Sequence, residues 1–230
     1  MAATVAANSA IAQIPDNLVV DGIPPIPAEL KAEACPPGRH RIVSMGSCTT
    51  NALAPVVKVA REHWGIRQGF FTTVHAYTNS QSLTDQPKAE RRDSWAAAEN
   101  IIPSSSGAAK GLKFIWPDLR VTGKACRVPV RTGSIVELVA VVERATERDE
   151  VVEAFRAAAK RPPLQGVMDV LEEEWPSARI VGDPHSSIVD LPLAEVCDRT
   201  LITVTAWYDN EMGFSTQLAR AARTLASTLA

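Results

Sequence analysis

The hydrophobic pattern between His40 and Gly65 predicts a short strand followed by an amphipathic helix. The stretch HRIVS, residues 40–44, has the composition of a strand. Four apolar residues then recur at the i, i+3, i+4, i+7 spacing of one helical face: Leu53, Val56, Val57 and Ala60. Gly65 is a typical residue for ending such a helix.

Residues 69–145 predict two strands separated by polar turns. Residues 69–77, GFFTTVHAY, are strand-like. Residues 79–93 predict a polar, irregular loop that leads into an alanine-rich helical stretch, and IIPSSSGAAKGL predicts a turn that opens another short helix. Residues 134–145, SIVELVAVVERA, are a strong strand candidate because they are rich in β-branched residues.

The last third of the chain predicts two helices around a further strand. Thr146 and Asp149 have the spacing of a capping box before a helix over residues 150–161. Residues 201–210, LITVTAWYDN, predict a strand, and the helix after it places four apolar residues on one face: Phe214, Leu218, Ala221 and Leu225. Strands that follow one another with only some helical crossovers predict a mixed α+β sheet.

The N-terminal residues differ in character from the rest. Residues 1–38 are rich in alanine and carry six prolines, which prevent a long helix and predict an irregular arm: Pro15, Pro24, Pro25, Pro27, Pro36 and Pro37. Residues 16–27, DNLVVDGIPPIP, leave room there for one short strand. We therefore expect an arm over residues 1–38 and one catalytic domain over residues 39–230.

Composition excludes several classes of protein. The 230 residues are 46% hydrophobic and carry a net charge of −2, so no basic field favours nucleic acid. The four cysteines form no C-x-x-C pair, which argues against a zinc ribbon, a dense disulfide framework or another metal site. The chain shows neither a signal peptide nor an eighteen-residue apolar span, so we expect a cytoplasmic protein without membrane contact.

Cys48 is the first candidate for chemistry. It follows a predicted strand at the first turn of a predicted helix, where the helix dipole and unpaired N–H groups favour a thiolate. His75, at the end of the next predicted strand, is the best candidate for a neighbouring base. Each residue alone is more typical of packing than of catalysis, since lone cysteines and strand histidines are usually buried without a catalytic role.

Two hydroxyl-rich segments suggest anion binding. SCTTN and SSSG each place hydroxyls and N–H groups near a predicted helix start, which suits phosphate. Four arginines are candidates for paired donors to such an anion: Arg91, Arg92, Arg127 and Arg131. The alternative is that the hydroxyls cap helices and the arginines form surface ion pairs.

Six segments in order resemble one family. SCTTN, TTVHAYTNSQ, RRDSWAAAENIIPSSSGAAK, RVPVRTGS, DPHSS and AWYDNEMGFS follow the order and approximate spacing of the catalytic domain of glyceraldehyde-3-phosphate dehydrogenase. The resemblance runs from about Arg39 to the C-terminus. It implies a largely antiparallel mixed sheet with helices packed on one face.

The resemblance also implies roles for individual residues. Cys48 would attack the aldehyde of a small phosphorylated substrate, with its N–H group as an oxyanion donor, and His75 would move the protons. Inorganic phosphate would then cleave the thioester at a site formed by Ser47, Thr49, Arg92, Ser106 and Gly107. Thr78 and Arg127 would bind the substrate's own phosphate. Asn210 would hold the nicotinamide of NAD or NADP, with Phe214 beside it.

Several residues depart from the family pattern. Met45 and Gly46 replace the commoner Asn-Ala, and Ala52 replaces a second cysteine. Ser80 stands where Asp is common, Ser106 where Thr is common, and Phe214 where Tyr is usual. We expect these changes to alter phosphate or substrate preference rather than the chemistry.

A dinucleotide-binding half is not recognisable in this sequence. Only 47 residues precede Cys48, and no two glycines form a G-x-G pair, whereas such a domain needs about a hundred residues. We therefore expect a catalytic domain that is incomplete without a cofactor domain, as a gene fragment, after a misassigned start, or with that half supplied by another chain.

Three further interpretations remain open at this stage. The chain could be a catalytically silent assembly module that joins a full-length homologue, since the resembled family forms homotetramers. Cys48 and His75 could instead act in acyl transfer without NAD. Erythrose-4-phosphate dehydrogenase shares SCTTN, although HAYTNSQ favours the glyceraldehyde-3-phosphate enzyme, and some segments resemble versions in which arsenate replaces phosphate as acceptor.

Overall fold

The computed structural model describes residues 44–229, so the predicted arm and nearly all of the predicted strand over residues 40–44 lie outside the described residues. Four helices are present in this range: α1 (Cys48–Trp64), α2 (Ala108–Ile115), α3 (Arg148–Ala159) and α4 (Met212–Leu229). Eight strands accompany them: β1 (Ile66–Ala76), β2 (Ile102–Ser104), β3 (Val121–Val128), β4 (Ser134–Val142), β5 (Met168–Leu171), β6 (Ser187–Asp190), β7 (Glu195–Cys197) and β8 (Leu201–Tyr208).

All eight strands form one mixed sheet. Its order is β2-β3-β1-β4-β8-β6-β5, and β7 pairs with β8 outside that path. The pairs β1/β4, β4/β8, β2/β3, β6/β8 and β7/β8 are antiparallel, whereas β1/β3 and β5/β6 are parallel. This arrangement confirms the predicted α+β class with a largely antiparallel sheet.

The alternation of side chains along the strands explains which sheet face carries the core. In β4 the residues from Ser134 to Val142 alternate between buried and more exposed positions, because successive side chains point to opposite faces. The buried set packs with α1 and α2 in one hydrophobic cluster. On the opposite face, Phe70 and Val74 of β1 are exposed to 43% and 37%. One face of the sheet is therefore the core. The opposite face is open along β1, whereas a second, smaller cluster that includes Ile180 and Ile188 packs against Trp207 of β8.

Helix α1 begins and ends at residues that suit those positions. The Ser47 hydroxyl accepts a hydrogen bond from the Thr50 N–H, which satisfies one of the unpaired donors of the first turn. Gly65 follows the last helical residue with a φ of 69°, a conformation that glycine adopts at little cost. The predicted helix and its stop are confirmed.

Two predictions about the helices are wrong. The alanine-rich residues after Asp93 form turns, because only a short 3-10 turn, Arg91–Ser94, precedes them and no amphipathic pattern sustains a helix. The N-cap of α3 is Glu147 rather than Thr146, and it makes no side-chain capping bond. The Thr146 hydroxyl instead donates to the Glu150 carboxylate, with an oxygen–oxygen distance of 2.8 Å.

Helix α4 closes the described part of the chain. Ala221 is buried and Phe214 packs partly buried against the main core, in agreement with the predicted apolar face, while the side chain of Leu225 lies outside the described residues. Within residues 44–229, no helix combines the length and apolar character needed to cross a membrane.

Candidate active site

Cys48 and His75 meet where α1 begins and β1 ends. Cys48 is the first residue of α1 and is only 6% exposed. Its Sγ lies 3.3 Å from Nε2 of His75, which is the second-last residue of β1. The two residues that the sequence singled out for chemistry are thus in direct contact.

The strand period explains why His75 faces Cys48. Phe71, Thr73 and His75 occupy alternate positions of β1 and are all buried on the side that carries α1. Phe71 needs room on this face, and Gly123 provides it, because a Cβ at Gly123 would overlap the Phe71 ring. A single-residue slip of β1 would turn His75 to the open face.

Burial sets the protonation state of His75. Removal from water, reinforced by the positive charge of Arg127, lowers the pKa of His75 from 6.5 to about 4, although the Ala76 carbonyl opposes this shift. The imidazole is therefore neutral at neutral pH. A neutral imidazole beside a thiol is the protonation state that a general base requires.

Arg127 contacts the other nitrogen of the same imidazole. It lies directly opposite His75 in the parallel pairing of β1 and β3. Its Nη1 is 2.5 Å from His75 Nδ1 and 3.2 Å from the Ala76 carbonyl oxygen. Desolvation lowers the pKa of Arg127, while the charge interaction with Cys48 opposes that shift. The structure thus brings Cys48, His75 and Arg127 into one line of contacts.

Tyr208 completes the wall of this site and was missed by the sequence analysis. Its hydroxyl lies 2.9 Å from Oγ1 of Thr49 on α1 and 2.8 Å from Oγ1 of Thr73 on β1. Its ring meets the His75 ring edge-on, with centroids 5.8 Å apart. Burial raises the pKa of Tyr208 well above its usual range, so the hydroxyl keeps its proton. The signal was available, since Tyr208 lies in the strand predicted over residues 201–210 and within the AWYDNEMGFS segment.

Asn210 is held by the turn before β4. Its Oδ1 accepts hydrogen bonds from the Gly133 N–H and the Ser134 hydroxyl, both at 3.2 Å. The Ser134 oxygen in turn accepts from the N–H of Ala76, the residue after His75. Because the amide oxygen is occupied, the orientation of Asn210 is fixed and its amide N–H₂ group points away from these partners.

Asp209 fixes the segment that carries Asn210. One carboxylate oxygen accepts from the N–H groups of Glu211 and Met212 at the start of α4, at 2.8 and 2.9 Å. The other oxygen accepts from the Gly182 N–H at 2.8 Å. Asp209 therefore caps the start of α4 and links it to the loop before β6. The sequence analysis did not predict this role.

The residues predicted to bind the attacking phosphate lie on α1, on the 3-10 turn and at the start of α2. The Ser106 hydroxyl oxygen accepts from the Ala108 N–H, and Gly107 is the N-cap of α2. Arg92 is exposed and donates to the Pro103 carbonyl at 3.4 Å. Ser47 and Thr49 use their hydroxyls in the α1 cap and in the Tyr208 contact. Their shared role toward phosphate stays a prediction.

Thr78, predicted for the substrate phosphate, lies in the loop just after β1. Its hydroxyl is 3.0 Å from that of Ser80, and its N–H donates to the side-chain oxygen of Gln81. Gln81 is only 7% exposed, so its buried side chain holds the loop against the protein interior. The site therefore combines a buried thiol–imidazole pair, a cation against that imidazole and hydroxyls on the adjoining loop. Such a set can carry nucleophilic attack on a carbonyl carbon of an anionic substrate.

Comparison with known proteins agrees with this geometry. Residues 47–210 match the family model described as glyceraldehyde 3-phosphate dehydrogenase, C-terminal domain. The chain is 49% identical over 191 residues to the glyceraldehyde-3-phosphate dehydrogenase of Kitasatospora aureofaciens, which covers 82% of this chain and 57% of that protein. It is 45% identical to glyceraldehyde-3-phosphate dehydrogenase 2 of Streptomyces avermitilis, over 79% of this chain and 55% of that protein.

A third relative gives the same result. The glyceraldehyde-3-phosphate dehydrogenase of Borreliella burgdorferi is 43% identical over 80% of this chain and 56% of that protein. The chain thus spans between half and three fifths of the length of the relatives it matches.

Proposed function

This chain belongs to the glyceraldehyde-3-phosphate dehydrogenase family of oxidoreductases, and from that membership we propose that it carries the catalytic centre for oxidation of D-glyceraldehyde 3-phosphate through a thioester on Cys48. The observation that supports this reaction most directly is the 3.3 Å contact between Cys48 Sγ and His75 Nε2 at the start of α1.

The first step is attack by Cys48. His75 Nε2 takes the thiol proton, the sulfur forms a bond to the aldehyde carbon, and the carbonyl π electrons move to oxygen. That oxygen then takes the proton back from Nε2, which gives a hemithioacetal. The first turn of α1 favours the thiolate, because its N–H groups present positive partial charge. The depressed pKa of His75 keeps its imidazole neutral and able to accept a proton at Nε2.

Oxidation then converts the hemithioacetal to a thioester. His75 Nε2 takes the hydroxyl proton while the carbon loses a hydride. NAD or NADP, when bound, supplies the hydride acceptor. Attack by inorganic phosphate on the thioester carbon breaks the C–S bond, releases the acyl phosphate and restores Cys48; attack by arsenate would release an acyl arsenate instead.

Two anion sites serve this sequence of steps in our proposal. Arg127 and Thr78 bind the phosphate group of the substrate, which is supported by the position of Arg127 against His75. The attacking phosphate binds the residues predicted for it at the starts of α1 and α2: Ser47, Thr49, Arg92, Ser106 and Gly107. The N–H groups at these helix starts favour an anion electrostatically.

The residues present fit one part of a nicotinamide cofactor. Asn210 has its amide oxygen held by Gly133 and Ser134, which leaves the amide N–H₂ group to donate to a carboxamide oxygen. Phe214 lies one helical turn further on, partly buried. We propose that these two residues contact the nicotinamide, whose remaining contacts need a dinucleotide-binding domain.

The same family membership supports a proposal on assembly and location. We propose that the chain forms a homotetramer or joins a chain that carries the cofactor domain. The open sheet face supports assembly, because Phe70 and Val74 expose apolar surface there. Among the described residues, Cys48, Cys126 and Cys197 form no disulfide, which supports a reducing cytoplasm.

A second candidate is acyl transfer without NAD. It is favoured by the observation that the thiol–imidazole pair is complete within residues 48–75 and needs no cofactor for nucleophilic attack. In this reaction an activated acyl group would pass to Cys48 and then to water or another acceptor.

The test uses the half-reaction that needs no cofactor. The chain is mixed with 3-phosphoglyceroyl phosphate, and the intact mass is measured. We expect one 3-phosphoglyceroyl group to add as Cys48 Sγ displaces phosphate from the acyl carbon. Cys48→Ser should abolish the adduct, while Cys197→Ser, which removes an exposed thiol, should retain it.

The fate of the adduct separates the two candidates. The proposed dehydrogenase predicts that added inorganic phosphate regenerates 3-phosphoglyceroyl phosphate much faster than water hydrolyses the thioester. Faster hydrolysis, with no effect of phosphate, favours the hydrolytic acyl-transfer reaction. No adduct on Cys48 contradicts both.

A further inference from the structure

One ring nitrogen of His75 makes two short contacts that exclude each other as hydrogen bonds. Nδ1 lies 2.6 Å from the Ala76 carbonyl oxygen and 2.5 Å from Nη1 of Arg127. A protonated Nδ1 can donate to the carbonyl but cannot accept from the guanidinium. An unprotonated Nδ1 can accept from the guanidinium but cannot donate to the carbonyl.

The two contacts correspond to the two tautomers of a neutral imidazole. When Arg127 donates to Nδ1, the ring proton resides on Nε2, which faces Cys48 Sγ. Nε2 then donates to a thiolate and has no lone pair for another proton. When Nδ1 carries the proton and donates to Ala76, the Nε2 lone pair faces Cys48 and can act as a base.

The Ala76 carbonyl oxygen is a second acceptor for Arg127, but His75 Nδ1 also contacts it. Nη1 of Arg127 lies 3.2 Å from the Ala76 carbonyl, so the guanidinium and the imidazole compete for the same oxygen. An anion that binds the guanidinium would relieve both interactions, since charge-assisted bonds to phosphate are stronger than bonds to a neutral carbonyl or imidazole nitrogen.

We propose that Arg127 is a positioning residue that selects the tautomer of His75, and that a phosphate group bound by Arg127 switches His75 to the tautomer in which Nε2 is the base. This inference rests on the proposed function, in which Arg127 binds the phosphate of the substrate. The substrate's remote phosphate thereby completes the base at the reacting carbon.

The protons balance in this switch. The imidazole releases one proton from Nε2 and gains one at Nδ1 by exchange with water, so the ring stays neutral. Arg127 keeps its charge and transfers its hydrogen bond from Nδ1 to a phosphate oxygen. The next proton taken by Nε2 comes from the hydroxyl of the hemithioacetal.

Of the three side chains that face the His75 ring, Arg127 is the one that carries a positive charge. Cys48 faces Nε2 from α1, Tyr208 faces the ring edge from β8 with its hydroxyl protonated, and Arg127 faces Nδ1 from β3. Asp93 interacts electrostatically with Arg127 from the 3-10 turn and favours its charged state.

Nitrogen NMR of histidine measures the tautomer directly. The chain is labelled with 15N-histidine and studied at neutral pH, where the buried His75 is uncharged. His75 is assigned as the one of four histidine signal pairs that His75→Gln removes. We expect the Nε2–H tautomer in the free chain and the Nδ1–H tautomer when sn-glycerol 3-phosphate saturates the site.

Two variants separate the effect of Arg127 from a general loss of charge. Arg127→Gln should give the Nδ1–H tautomer with or without sn-glycerol 3-phosphate. Arg120→Gln removes an exposed arginine just before β3, at the far end of that strand, and should behave like the wild type. The comparison of wild type with and without the ester stands even if a variant does not fold.

Calorimetry of sn-glycerol 3-phosphate distinguishes this inference from the proposed function. Binding without a change of tautomer, or an Nδ1–H tautomer already in the free chain, overturns the switch and leaves the proposed function standing. Absence of binding overturns both. Binding with the change of tautomer in wild type and not in Arg127→Gln supports the switch.

Discussion

His75 of β1 and Arg127 of β3 are directly opposite each other in a parallel strand pair, and the guanidinium Nη1 lies 2.5 Å from the imidazole Nδ1. The opposite ring nitrogen, Nε2, contacts Cys48 Sγ. The imidazole therefore stands between a thiol and a guanidinium cation. Its properties depend on both neighbours, and so does the chemistry that the family membership implies.

The low pKa of His75 predicts a loss of stability in acid. The folded pKa of about 4 lies below the ordinary value of 6.5, so between these values the unfolded chain binds more protons than the folded chain. The stability contribution is fully present above pH 6.5 and is lost as pH falls through about 4. The free energy of unfolding from urea titrations should fall over this window by up to about 3 kcal/mol through His75.

The variant His75→Gln tests whether this acid dependence of stability comes from His75. His75→Gln should flatten the acid dependence, whatever its effect on stability at neutral pH. His63→Gln, which changes an exposed histidine, should leave the slope unchanged. Equal slopes for wild type and His75→Gln would contradict the low pKa of His75.

Arg127→Ala should discriminate between phosphorylated and unphosphorylated ligands. Loss of a charge-assisted contact predicts roughly tenfold to hundredfold weaker binding of D-glyceraldehyde 3-phosphate, with a change of less than about threefold for glyceraldehyde. Calorimetry in a Cys48→Ser background removes covalent addition from the measurement. Arg120→Ala is the matched control. Equal losses for both aldehydes would remove Arg127 from the phosphate site.

Tyr208→Phe should destabilise the chain although it keeps the ring. The substitution removes the hydroxyl that bonds Thr49 and Thr73, and it leaves both buried threonine hydroxyls short of one partner. We expect the free energy of unfolding to fall by about 1–3 kcal/mol in urea titrations. Tyr77→Phe changes the other, less buried tyrosine and serves as the control. Comparable losses in the two variants would argue against a special role for the Tyr208 hydroxyl.

Gly123→Ala should damage the strand pair that aligns His75. A Cβ at this position overlaps the ring and carbonyl of Phe71, which lies opposite in β1. We expect a loss of about 1–3 kcal/mol in the free energy of unfolding, because overpacking in a core forces strain. Gly107→Ala meets open space with an ordinary φ and should be nearly neutral in the same titration. An unchanged free energy of unfolding for Gly123→Ala would mean that β1 and β3 can move apart at Phe71 without cost, and would contradict tight packing at this point.

Local pattern was enough to predict the elements around Cys48. The period of the apolar residues and the glycine at position 65 identified α1, and the β-branched and aromatic residues of GFFTTVHAY identified β1. Both signals are short-range, since each depends on residues within one element. The contact between Cys48 and His75 was within reach because the two elements are consecutive in the chain.

The partner of His75 on its other side could not be predicted in this way. Arg127 meets His75 because β3 pairs with β1 in parallel and in a specific register, although 52 positions separate the two residues. Strand order depends on how the whole sheet packs, and local sequence carries little information about it. Tyr208 was missed for the same reason, since its hydroxyl contacts residues of α1 and β1 only in the assembled sheet.

Composition misled at the alanine-rich residues after Asp93. Alanine has the highest intrinsic helix propensity, but a few residues of propensity cannot nucleate a helix without an apolar face that packs. Ala96 and Ala97 are buried while Trp95 and Ala98 are exposed. The segment therefore packs against the protein interior as a turn and not as a helix. The Ala96 N–H donates to the Asp85 carboxylate, and this long-range bond replaces a helical one.

If the helix start and His75 make Cys48 the nucleophile, Cys48 should win a competition among the thiols. The native chain is treated with limiting iodoacetamide at neutral pH, and the alkylated peptides are quantified. Exposure alone predicts that Cys197 reacts before the 6% exposed Cys48. We expect instead that Cys48 reacts fastest, and that His75→Gln removes this advantage while His63→Gln preserves it. Faster labelling of Cys126 or Cys197 in the wild-type chain would show that Cys48 is not activated.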